Sequence, residues 1–179
     1  KQVTEEYNKL NNESAKVVRG KIKKDKITFA LTSCGRFKEL KNTLQSFFNV
    51  ESAKLAIKKK GKVKLITSTN VFAHMSTLGD VMDGIVEAID EDGYFCFENH
   101  YIMEIINKVQ YDTFYHEHLR TYSLISLVKL FEMYDLNLFH AEIVTRYGGS
   151  IRCIVSKKKQ EYSENLKKLL DIEKDRLIE

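Results

Sequence analysis

The chain has 179 residues, 43% of them hydrophobic and 30% charged, with a formal net charge of +4. These are the values of a soluble globular protein long enough for one domain with a real core, or a domain and a half. They exclude low-complexity and fibrous chains, and no apolar run has the length of a membrane span or the form of a signal peptide. The basic residues lie in scattered runs such as Lys21–Lys26, Lys58–Lys64 and Lys157–Lys159. No aromatics are interleaved with them on one face, so they read as solvated helix ends and turns rather than a nucleic-acid footprint. Cys34, Cys96 and Cys153 are far apart and form no CxxC pair, which argues against a zinc ribbon or redox motif and fits the reducing cytoplasm. The chain opens on Lys1 and is expected to be part of a longer product.

In chain order, residues 1–26 are polar and charged, with weak helical periodicity. Ile27–Thr32 is a short apolar run expected as a buried strand. Ser33-Cys34-Gly35-Arg36 is a turn, and Lys38–Phe48 places Leu40, Leu44, Phe47 and Phe48 at helical spacing. A helix is expected over Ser52–Lys60, then a parallel-type strand over Val63–Thr69. Leu78–Ile89 is the clearest helix, with Leu78, Val81, Met82, Ile85, Val86 and Ile89 in one stripe. Asp90–Gly93 reads as a turn and Tyr94–Glu98 as a strand. This β–α–β order implies a parallel pair with a crossover helix. Tyr101–Val109 is expected to be helical. Ser123 caps a helix whose stripe is Leu124, Leu127, Val128, Phe131 and Tyr134. Strands are expected over Leu136–Thr145 and Ile151–Ser156, joined by a Gly-Gly turn, and a charged helix over Glu161–Leu177.

The most chemically loaded stretch is Tyr115-His116-Glu117-His118. Histidine titrates near neutral pH unaided, and a neighbouring carboxylate can tune and orient it, so this cluster can move a proton. The plain alternative is a solvated turn or polar helix start. A metal reading is weak: His116 and His118 share a face only if extended, Glu117 then points away, and no Cys or third His lies nearby in sequence. No metal centre is expected. In an open α/β sheet, ligands bind beyond the carboxyl ends of the strands. Asn70-Val71-Phe72-Ala73-His74 and Glu98-Asn99-His100-Tyr101 both follow strands and so meet that rule. Gly148-Gly149-Ser150 could cradle an anionic group, with Arg152 beyond it to pair a phosphate, or could be an ordinary hairpin turn.

Two resemblances follow. Thr32-Ser33-Cys34-Gly35-Arg36-Phe37 with Leu40 and Leu44–Phe47 resembles the opening of family-2-type glycosyltransferases, although the string nearest to that family's Asp-x-Asp metal motif, Asp90-Glu91-Asp92, reads as a turn before Gly93. Asn70–His74, Asp92-Gly93 with Glu98, Tyr111–Thr113 with Tyr115–His118, and Gly148–Arg152 recur in that order. Together they resemble the S-adenosylmethionine-dependent sugar C-methyltransferases that act on nucleotide-linked 4-keto-deoxysugars. The resemblance runs from about Glu51 to about Leu177. It implies an α/β fold: an incomplete Rossmann-like parallel sheet with helices over 51–110, then a smaller α/β C-terminal domain over 111–179. Residues 1–26 would be a helical segment, and 27–50 a strand–loop–helix unit of uncertain origin. The implied reaction is proton abstraction next to a ketone and methylation of the carbanion. His118 would be the base, with Tyr115 and Glu117 placing and polarising substrate and base and His74 facing the sugar oxygens. Glu51, Asn70, Val71 and Phe72 would face S-adenosylmethionine, and Gly148, Gly149, Ser150 and Arg152 would steady the nucleotide-sugar. The chain departs from the family in lacking the cysteine-rich zinc domain, and none of its eight glycines are spaced Gly-x-Gly as the cofactor loop requires. A non-catalytic α/β remnant is therefore the competing reading, and a glycosyltransferase-type domain, based on Ile27–Phe48 only, is a third. Neither oligomeric state nor sugar identity is written in the sequence.

Overall fold

The structure, a computed structural model, describes residues 28–31, 44, 46–145 and 148–177. Strand β1 (Thr28–Leu31) is followed by α1 (Val50–Lys60), β2 (Val63–Thr69), α2 (Leu78–Ala88) and β3 (Ile89–His100). A short helix α3 (Ile102–Asn107) leads to α4 (Leu124–Glu132), β4 (Asn137–Val144), β5 (Ser150–Ser156) and α5 (Glu164–Leu177). Single 3-10 turns span Phe72–His74 and Tyr111–Thr113. The five strands form one sheet in the order β1-β2-β3-β5-β4. β1, β2 and β3 run parallel, while β5 runs antiparallel to both β3 and β4. The parallel sheet and crossover helices are those expected. The boundary drawn at residue 110 crosses a shared sheet, because β5 hydrogen-bonds directly to β3 from Tyr94↔Ser156 to His100↔Ser150.

The period-2 alternation of the strands sends Ile66, Phe95, Phe97, Ile151, Cys153 and Val155 to one face. There they meet the α2 stripe Val81, Met82 and Ile85, the α4 stripe Leu124, Leu127 and Phe131, and Leu166, Leu169 and Leu170 of α5. Phe72 stacks on Phe97 at 5.2 Å between ring centroids, and Phe97 meets Phe131 at 5.3 Å, so aromatic contacts tie the turn after β2 to the core. Cys153 lies in this core, and Cys96 packs beside the smaller cluster of Tyr94, Phe139 and Ile154. Burial pushes the Cys96 thiol up to about 12 and raises Cys153 as well, so neither is a nucleophile near neutral pH.

Three local departures have identifiable causes. Asp90–Gly93 belongs to β3 rather than to a turn. The register jumps from Val63↔Ile89 to Leu65↔Tyr94, and the extra residues bulge, with Lys64 drawing in Asp92 and, at 3.0 Å, Asp90. Gly93 is required there, since a Cβ would sit 2.8 Å from the Val63 carbonyl oxygen. Most of the helix expected over Lys38–Phe48, and the glycosyltransferase-like loop before it, lie outside the described residues. Residues 44 and 46–48 are not helical; instead Asn49 caps α1, its Oδ1 accepting the Ser52 N–H at 2.9 Å. Ser123 caps α4 as expected, in a reciprocal box with Ser126. A second cap arrives from α5: the fully buried Glu173 accepts the N–H groups of Leu124 (2.6 Å) and Ile125 (2.9 Å). A carboxylate at a helix N-terminus satisfies orphan donors and meets the positive end of the helix dipole.

Two buried polar groups generate predictions. The Arg152 guanidinium, on the interior strand β5, sits between carboxylates on both neighbouring strands. Its Nε donates to Glu98 Oε1 at 2.7 Å and its Nη1 to Glu142 Oε1 at 2.9 Å. Removing one partner of a buried pair leaves an uncompensated charge, so Arg152→Met should cost about 3–5 kcal/mol of stability, read from urea unfolding. Adding Glu98→Gln should recover part of that loss. His140, on β4, is 8% exposed, and its Nδ1 lies 2.9 Å from Ser163 Oγ. Burial lowers its pKa below the usual 6.5, against an opposing pull from Glu142. A histidine with a depressed folded-state pKa binds more protons when unfolded, so its contribution to stability is present above about 6.5 and is lost as pH falls below it. The urea midpoint should drop between pH 7 and pH 5.5, and His140→Gln should flatten that dependence.

Candidate active site

The site forms where β2 and β3 end. Asn70 follows β2 in a left-handed conformation (φ 51°) and donates its N–H to the Glu98 carbonyl at 2.8 Å. Asparagine tolerates that conformation better than most side chains. The turn Phe72–His74 then carries the chain over the sheet edge. The segment holding the histidine cluster is strapped to this turn: Leu119 N–H donates to the Ala73 carbonyl at 2.9 Å, and Arg120 donates to the carbonyls of Met75 and, at 3.3 Å, Ser76. These bonds bring together residues more than forty positions apart in sequence.

His118 is the centre of the resulting cluster. Its ring lies 4.8 Å from His74, 5.0 Å from His100 and 4.3 Å from Tyr115, centroid to centroid. Its Nδ1 lies 2.7 Å from the Thr113 carbonyl oxygen. A carbonyl can only accept, so Nδ1 carries the hydrogen and Nε2 of the neutral ring keeps its lone pair. That is the tautomer of a general base whose second nitrogen is oriented by the backbone. His118 opens onto a cavity of ≈ 610 Å³ lined by Asn70, His100, Gln110, Asp112, Thr113, Tyr115, His118 and Gly148. Burial lowers the pKa of His100, and the neighbouring His118 and His74 lower it further. Among the described residues, no three or more metal-ligating side chains are placed to hold a metal ion together.

The placement of the expected residues divides. His118, Tyr115, Asn70 and Gly148 meet at the cavity. His74 joins by ring contact with His118 but does not line the wall. Glu117 turns outward: its side chain is 60% exposed and lies 3.9 Å from the more exposed His116. In a turn, successive side chains diverge, so adjacency in sequence did not make adjacency in the site. Glu51 is exposed in the first turn of α1. Val71 is buried, and Phe72 is wholly within the aromatic core, so its ring is not available to an adenine. Gly148 and Gly149 both take positive φ, and Lys108 and Gln110 donate to the Gly148 carbonyl at 2.6 and 3.1 Å. A Cβ on Gly149 would fall 2.6 Å from Glu104 Oε2, so the loop needs this glycine to lie against α3. Ser150 is fully buried at the start of β5, and Arg152 is held in the sheet by Glu98 and Glu142 rather than turned to a phosphate. Gln110 carried no signal in the sequence. His100, in the segment Glu98–Tyr101 beyond an expected strand, and Asp112 and Thr113, in the Tyr111–Thr113 motif, lay in stretches singled out along the chain but were given no role.

No helix among the described residues is long and apolar enough to cross a membrane. No family model matches the chain. Over 109 residues it is 31% identical to C-methyltransferase NovU of Streptomyces niveus, a match covering 61% of this chain and 26% of that relative. The chain thus spans about a quarter of the length of the curated relative it matches. Among solved structures, it is similar to a SAM-dependent methyltransferase from Anabaena variabilis, with a TM-score of 0.47, 10% identity and coverage of 65% of this chain and 58% of that one. A similar likeness is to the complex between the Haloferax volcanii Trm112 methyltransferase activator and a putative methyltransferase, with a TM-score of 0.45, 9% identity and 57% of each chain covered.

Proposed function

We propose that this chain is the base-carrying portion of an S-adenosylmethionine-dependent C-methyltransferase that acts on a nucleotide-linked keto-deoxysugar. The observation that carries this reading is His118, with Nδ1–H committed to the Thr113 carbonyl, facing a cavity at the carboxyl ends of β2 and β3. The similarity to a C-methyltransferase supports it.

A hydrogen on the carbon beside a ketone is weakly acidic, and a positioned imidazole removes it. In the proposed reaction His118 Nε2 takes that proton, and the C–H electron pair becomes the enolate. The Thr113 carbonyl stabilises the imidazolium that forms, through the Nδ1–H bond it already accepts. Tyr115, beside His118, flanks the substrate. The resemblance gives the cofactor side to the segment after β2. Asn70 fits that role, because its Oδ1 is buried without a partner at the cavity. Phe72 does not, being committed to the core. When bound, S-adenosylmethionine supplies the electrophilic methyl group that the enolate carbon attacks.

The competing reading, a non-catalytic remnant, rests on the absence of any Gly-x-Gly spacing. One experiment separates them. With a thymidine-diphosphate 4-keto-6-deoxyhexose in D2O, the protein should exchange the hydrogen next to the ketone without any methyl donor, as followed by proton NMR. His118→Ala should slow that exchange by roughly 10²–10⁴-fold with nucleotide-sugar affinity nearly unchanged. No exchange by the unsubstituted protein favours the remnant.

A further inference from the structure

A carbon acid needs two groups, one to take the proton and one to receive the negative charge that moves onto the ketone oxygen. The base is His118; the second role has no assigned residue. We infer that His100 is a further catalytic residue, a neutral imidazole whose N–H donates a hydrogen bond to the enolate oxygen while His118 holds the proton. This rests on the reading above.

The placement is the first argument. His100 is the last residue of β3, paired in register with Ser150 of β5, so its backbone is held by the sheet rather than by a loop. It lines the same cavity as His118, with ring centroids 5.0 Å apart and planes at 86°. In a ketone, the acidic carbon and the oxygen are roughly 2.4 Å apart, given ordinary C–C and C=O bond lengths. One ring nitrogen must reach the C–H while a nitrogen on the second ring reaches the oxygen. Two imidazoles in edge-to-face contact on one wall meet that demand. His74 touches His118 at a similar distance but does not line the cavity, so it is not equivalent.

Charge is the second argument. A neutral donor at the oxygen is useful only if it does not itself take the proton from His118. His100 is half-buried, and burial together with the neighbouring His118 and His74 disfavours a charge on it. The same arrangement disfavours His100 as a relay that carries the proton away. The balance is simple: the C–H bond breaks, its proton goes to His118 Nε2, its electron pair delocalises onto oxygen, and His100 keeps its own hydrogen throughout.

The test is the exchange reaction in D2O with the same thymidine-diphosphate 4-keto-6-deoxyhexose, which needs no methyl donor. His100→Phe, which keeps the ring but removes the donor, should slow exchange about 10²–10³-fold with KM changed less than about threefold. His100→Gln, which keeps an N–H donor, should stay within about tenfold of the unsubstituted rate. His100→Ala serves as the second donor-free variant if the Phe variant does not fold, as judged by circular dichroism. Exchange by a donor-free variant within about threefold of the unsubstituted protein, while His118→Ala is inactive, overturns this inference and leaves the base assignment standing. A Gln variant as slow as the Phe variant overturns the donor role. Absence of exchange in the unsubstituted protein removes both.

Discussion

Strand β3 hydrogen-bonds to a parallel neighbour on one edge and to an antiparallel neighbour on the other. Most of the rest depends on this double pairing. It fixes where the strand stops, and so where His100 stands. It places Glu98 opposite Arg152, and it makes residues 51–110 and 111–179 parts of one sheet. Each ladder bond contributes only modestly, but breaking the pairing would leave a row of buried backbone groups unsatisfied. The ends of β2 and β3 therefore form a stiff rim, and the site is built on that rim.

Onto the rim the fold ties a mobile type of chemistry, an imidazole on a turn. The turn carrying His118 has little regular structure of its own. It is held by the Leu119–Ala73 backbone bond, by Arg120 on the carbonyls of Met75 and Ser76, and by Thr113 on the ring itself. The general base proposed at His118 needs a fixed tautomer and direction. The backbone carbonyl of Thr113 supplies the first, and the strap to the 72–76 turn supplies the second. His100, on the same cavity, is biased toward neutrality by burial and by the neighbouring imidazoles.

Several side chains with a chemical look turn out to hold the scaffold. Arg152 and Glu98 neutralise each other across strands, with Glu142 completing the set. Glu173 terminates α4 from the neighbouring helix. Cys96 and Cys153 pack among apolar groups. In each case burial with a satisfied partner, or with apolar neighbours, separates a structural group from a reactive one.

What the sequence determined by itself was local. The stripe Leu78–Ile89, the apolar run Val63–Thr69 and the Ser123 cap are set by residues within one or two turns of each other, so their periodicity and capping chemistry are readable along the chain. The α/β class and the concentration of ionisable groups at Tyr115–His118 follow from the same short-range information. The tertiary structure decided which of those groups face one another. Glu117 points to water and His118 to the cavity because the bonds that orient that turn come from residues some forty positions earlier. His100 enters the site, and Arg152 leaves it, because the register of β5 against β3 and β4 is fixed by the packed core and not by any one strand alone. Direction and partnership are long-range properties, and no pattern within a single segment encodes them.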